Sequence, residues 1–137
     1  MNKAFPKIRI FTSSWFAKLP RGYLRIGVSR SVPRNIGGGY RRLRELQPGP
    51  CLNDPPKLFA LKYGDQLDSI DPAALIQKIE TMADGYEAAV LCCYESPTGS
   101  SWCHRSLVSA WLEQELGISV PEFGHCGCGC HPLRYRG

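Results

Sequence analysis

The chain has 137 residues, 43% of them apolar, and a net charge of +5, which is room for one domain rather than two. No run approaches the roughly 18 apolar residues of a membrane span. The stretch Met1 to Pro6 lacks the apolar core of a secretory signal, so a cytoplasmic protein without a membrane partner is expected.

Seven cysteines, an odd number, point to metal or thiol chemistry ahead of a disulfide framework in such a compartment. The net charge conceals a segregation. Residues 1–62 hold 13 Lys and Arg against 2 acids, whereas residues 63–122 hold 2 basic residues against 10 acids. Either the two halves neutralise each other in the fold, or the basic half meets an anionic partner.

In chain order, Ile8 to Phe11 reads as a short strand ending in a hydroxyl-rich turn, Thr12-Ser13-Ser14. Leu24 to Val28 is a second strand, followed by Ser29-Arg30-Ser31-Val32-Pro33-Arg34. Gly37 to Gly39 is a break, and Tyr40 to Leu46 has the makings of a short basic helix. Pro48, Pro50, Pro55 and Pro56 mark an irregular loop; Leu58 to Tyr63 fits a short helix or an extended piece.

Asp71-Pro72 is a helix start, with Asp as N-cap and Pro at the first helical position. Leu75, Ile76, Ile79 and Met82 then give one apolar face. The unalternating run Ala88 to Tyr94 suits a central strand buried on both faces. After a polar loop from Glu95 to Ser101, a helix from about Trp102 to Leu116 carries the stripe Leu107, Val108, Trp111, Leu112 and Leu116. Gly117 is placed to end it, and Ile118 to Val120 reads as another strand.

The pattern predicts a single-domain α/β fold over residues 1–123, a Rossmann-like, mostly parallel sheet flanked by helices, with a Cys/His-rich tail at 124–137. In such sheets ligands bind beyond the carboxyl ends of the strands. That edge would gather Thr12, Ser13, Ser14, Arg30, Arg34, Tyr94 and Glu95, with Cys103, His104 and Arg105 opening a helix. The free amides of that helix start favour an anion, and arginine supplies forks suited to phosphate.

Each residue also has a plainer role. Cys103 is either an inert packed thiol or a thiol of lowered pKa, since a helix N-terminus favours thiolate. His104 either caps the helix or assists chemistry. Arg105 either binds the anion or pairs with an acid. Glu95 is a solvated loop carboxylate or a general acid/base. Cys92 and Cys93, adjacent on a strand, face opposite sides.

Val90-Leu91-Cys92-Cys93-Tyr94-Glu95 followed by Cys103-His104-Arg105 resembles the YeaO-like proteins known as domain of unknown function 488. Phe11 to Ser14 and Val28 to Pro33 are similar to its phage and bacterial members. The resemblance spans most of residues 8–122, with Cys103-His104-Arg105 as its specific part. It implies a compact α/β fold and the place of the site, and no particular activity. Residues 34–57 and those after Phe123 depart from it.

The tail sets five soft or borderline ligands, His125, Cys126, Cys128, Cys130 and His131, within seven residues. Zinc or an iron–sulfur centre accepts such donors, although the spacing is not the paired Cys-x-x-Cys of ordinary zinc modules.

Three functions follow. The leading one is a binding domain for a phosphate-bearing, nucleotide-like small molecule, in a sequestering or sensing role, with Trp15, Tyr94 or Trp102 stacking on a base. The second is an enzyme of nucleotide or glycosyl chemistry, with Cys103 as nucleophile or Glu95 as acid/base. The third is a nucleic-acid binder through the basic half, using Arg41, Arg42 and Arg44, ranked last for want of a recognised motif.

Overall fold

Six consecutive buried residues, Ala88–Cys93, form the strand around which the chain is built. The computed structural model describes residues 6–49, 54–94 and 104–124. Its strands are β1 (Arg9–Ser14), β2 (Tyr23–Gly27), β3 (Arg41–Arg42) and β4 (Ala88–Cys93), in the order β1-β4-β2-β3 and all parallel. The unalternating apolar run therefore does what its composition requires: it sits inside the sheet with a layer on each face.

The helices are α1 (Pro56–Asp68), α2 (Pro72–Met82) and α3 (His104–Leu116). They pack as one layer against the face carrying Leu24, Ile26, Val28, Ala89, Leu91 and Cys93. The opposite face carries Val90 and Cys92. It is closed by Trp15 and by loop side chains Leu19, Val32, Ile36 and Tyr40. The result is an α/β domain with a four-stranded parallel sheet flanked by three helices, Rossmann-like in arrangement, with its helices on one side. Among the described residues no helix is long and apolar enough to cross a membrane.

Local chemistry accounts for most element boundaries. Asp71 caps α2 by accepting from the Ala73 and Ala74 amides at 3.1 and 3.4 Å, with Pro72 at the first position. In α1 the buried positions Phe59, Tyr63 and Leu67 recur every four residues, the spacing of one helical face. Gly117 leaves α3 at φ +69°, a conformation that costs glycine little.

Three expectations are corrected. Thr12-Ser13-Ser14 is not a turn but the second half of β1, paired in register with Leu91, Cys92 and Cys93. The basic segment at Tyr40 to Leu46 forms no α-helix. Arg41 and Arg42 pair with Ile26 and Gly27 as an edge strand, then Arg44–Leu46 makes a single 3-10 turn that buries Leu46. Nor do Ile118 to Val120 form a strand. Instead the chain makes one parallel bridge, Glu122 to Thr12, at the free edge of β1. The Thr12 amide donates to the Pro121 carbonyl and the Phe123 amide to the Thr12 carbonyl.

Ion pairs between described residues join Lys62 to Asp54, Lys78 to Glu45 and Arg105 to Glu122. Lys7 of the basic half also lines a surface cavity together with Glu80 and Asp84 of the acidic half, so the two halves meet there in the fold.

Candidate ligand pocket at the carboxyl edge

Beyond the ends of β2 and β4 lies a pocket of about 190 Å³. Ser29, Arg30 and Ser31 line it from the segment after β2, Cys93 and Tyr94 from the end of β4. His104, the first residue of α3, and Pro48 complete the lining. The place is the one that parallel-sheet geometry predicts. Of the ligand residues expected from sequence, Arg30, Tyr94 and His104 meet here.

His104 is buried, and its Nε2 lies 2.7 Å from the Val28 carbonyl oxygen. A carbonyl only accepts, so Nε2 carries the proton and Nδ1 of the neutral ring carries none. Nδ1 sits 3.5 Å from Cys93 Sγ. Tyr63 packs edge-on to the ring at 5.2 Å and Phe59 lies at 6.3 Å. Burial lowers the His104 pKa to about 4; the Val28 bond opposes the shift and neighbouring Arg105 adds to it. The imidazole is neutral at pH 7, its one proton is spent on Val28, and it ties the start of α3 to the end of β2.

Tyr94 is half-buried across the mouth, its Oη 3.1 Å from Ser31 Oγ. Ser14 positions it from below. Ser14 Oγ donates to the Tyr94 carbonyl at 3.3 Å and accepts from the Phe16 amide at 3.2 Å. Ser14 thus anchors the aromatic residues of the rim and is not itself in the pocket lining. Ser13 is buried in the strand. Arg34 is exposed on the loop beyond the pocket.

Arg30 is exposed at the mouth, and no described acid pairs with it. Arg42 holds its backbone in place, Nη2 donating to the Arg30 carbonyl at 2.7 Å.

Arg105 and Thr12 belong to a different construction. Arg105 donates through Nε and Nη2 to the two carboxylate oxygens of Glu122, at 3.0 and 2.9 Å. Thr12 Oγ1 donates to the same carboxylate at 2.6 Å. All three residues are buried. The expectation that Arg105 is the chief anion ligand is corrected, because its fork is occupied by a carboxylate of the chain itself. Trp15 is also corrected as a stacking surface: it is fully buried, with Nε1 donating to Ser29 Oγ at 2.9 Å.

The cysteines divide as the strand period requires. Cys92 is a free thiol on the loop-covered face, its pKa raised to about 11 chiefly by burial. Cys93, on the helix face, is disulfide-bonded. Glu95, Cys103 and Trp102 lie outside the described residues, as do the expected metal ligands His125, Cys126, Cys128, Cys130 and His131. Among the described residues no group of His, Cys, Asp and Glu is arranged to hold a metal ion.

Sequence reasoning put Ser29 with Arg30 at the polar end of the second strand without counting it among the ligands, and missed Ser31, Pro48 and Cys93. The serines and the proline follow a strand end and a turn whose paths only the tertiary fold brings together.

Fold and pocket together define a parallel α/β chain with a small carboxyl-edge cleft, polar on one wall and aromatic on the other. No protein-family model, no curated protein and no solved structure matches the chain.

Proposed function

We propose that this chain binds a small phosphate-bearing, nucleotide-like ligand at the carboxyl-edge pocket, in a sequestering or sensing role. The observation that carries the reading is Arg30: an arginine without an acid partner among the described residues, at the mouth of a cleft between two parallel strands and a helix start. A guanidinium so placed favours phosphate, and the Tyr94 ring beside it offers a face for a base. At about 190 Å³ the pocket falls below the roughly 300–1,000 Å³ that encloses whole ligands. It takes one part of the ligand and leaves the rest at the mouth, against Arg30 and Tyr94.

Isothermal titration with mononucleotides and inorganic phosphate tests the proposal. Binding weakened about tenfold in Arg30→Ala, the scale of one charge-assisted hydrogen bond, is the expected result. Absence of binding across the panel, or affinity unchanged in Arg30→Ala, overturns it. We also propose, from donor types alone, that the tail ligands His125, Cys126, Cys128, Cys130 and His131 hold zinc. Metal analysis of the purified chain and of a triple Cys→Ser variant checks this, and equal zinc in both would count against it.

A further inference from the structure

The pocket has a rim that a mononucleotide would leave unused. On one side, Phe16 is 66% exposed, unusual for a phenylalanine with a core available to it. Its ring stands edge-on to Tyr94, centroids 6.1 Å apart. On the other side the edge strand β3 and the turn after it present Arg41 and Arg44, both exposed and neither paired with a described acid. Arg42, between them, touches the backbone of Arg30, so β3 is continuous with the pocket mouth. Four residues beyond Arg44 the chain reaches Pro48, in the pocket wall. Glu45, beside Arg44 in the turn, is engaged by Lys78 at 2.7 Å, and Asp65, Asp68, Glu113 and Glu115 are exposed on the helical layer.

An exposed aromatic ring against a half-buried one at a pocket, and exposed arginines without a described acid partner on the adjoining strand and turn, are the two components of single-strand recognition. Bases stack on the rings while the backbone follows the positive charge. A duplex keeps its bases stacked internally and could use only the arginines. We infer that the ligand of this site is a single-stranded nucleic acid, with part of one nucleotide in the pocket and the adjoining phosphates at Arg30, Arg41 and Arg44. This rests on the pocket reading above and extends it from a nucleotide to a strand.

Fluorescence anisotropy with a labelled single-stranded oligonucleotide of about twelve residues, a duplex of the same length and a competing mononucleotide tests it. The site size is that of about one single-strand-binding module. The single strand should bind at least about tenfold more tightly than the mononucleotide, more tightly than the duplex, and less tightly as salt rises. The double variant Arg41→Ala/Arg44→Ala and the variant Phe16→Ala should each weaken the strand severalfold. Both should leave mononucleotide affinity unchanged. These side chains are exposed, and circular dichroism verifies that the variants fold. A strand bound no better than a mononucleotide, or strand affinity indifferent to both variants, overturns the inference and leaves the small-ligand reading standing. Strand binding without mononucleotide binding overturns the small-ligand reading instead.

Discussion

The imidazole of His104 and the carbonyl of Val28 share a 2.7 Å hydrogen bond in which only the ring can donate, so the first residue of α3 is fixed to the end of β2 by a neutral histidine. Protonation of that ring must place a charge in a buried site. The folded-state pKa is lowered to about 4 by burial, whereas an unfolded histidine titrates near pH 6.5. Below about pH 6.5 the unfolded chain takes up a proton that the native chain refuses. Stability from this group is therefore complete above that pH and is lost as pH falls toward about 4, by on the order of 3 kcal/mol. Urea titrations at pH 7 and pH 5 should show the loss, and His104→Gln, which keeps a donor for Val28, should reduce it. An equal pH dependence in wild type and variant would contradict the assignment.

The Arg105–Glu122 pair is fully buried and takes Thr12 as a third member. Removing one partner leaves the other charge buried alone, so Glu122→Ala should cost about 3–5 kcal/mol. Replacing both by apolar residues of similar size, Arg105→Met with Glu122→Leu, should recover much of that. Chemical denaturation measures both. A double variant no more stable than the single one would mean that the pair contributes more than mutual neutralisation.

Gly27 touches the Trp15 ring so closely that an added Cβ would lie 2.5 Å from it. Gly27→Ala should therefore destabilise by about 1–3 kcal/mol, the usual cost of overpacking. The smaller ring of Trp15→Phe should relieve part of the clash in the double variant, despite losing the bond to Ser29. Thermal melts of the four chains form the cycle, and additive losses would show that the two positions do not meet.

Thiol labelling should separate the adjacent cysteines. Cys92, buried with its pKa raised to about 11, should resist alkylation in the native protein. Cys93 should be labelled only after treatment with a reductant, since it is disulfide-bonded. Mass spectrometry of the alkylated peptides reads both, and native alkylation at either position would refute the corresponding statement.

The chain order of elements and the central place of β4 were legible because each rested on a local signal: a capping Asp before Pro72, a 3.6-residue apolar period, an unbroken apolar run. The errors lie where tertiary pairing overrode local composition. Thr12, Ser13 and Ser14 look like a turn to any window that omits β4. Arg41 and Arg42 look helical until Gly27 supplies a strand beside them. At the site, sequence found the edge and three residues of the pocket. It misassigned Arg105 because the partner, Glu122, is 17 residues away and nothing local connects them. It read one stripe on α3, whereas His104 to Leu112 are buried without interruption.

The bridge between Thr12 and Glu122 has a consequence for how the chain is made. The contact spans 110 residues, and β1 must also wait for β4 before either of its edges is paired. Contacts of such separation slow folding, and a nascent chain emerges from its amino end. β1 therefore leaves the ribosome with neither edge paired, and β2 with only the two residues of β3 to pair with, until β4 follows. The aggregation hazard of this protein falls in that interval. A chain stopped between Arg105 and Glu122 would bring Arg105 into the core without the carboxylate that meets it.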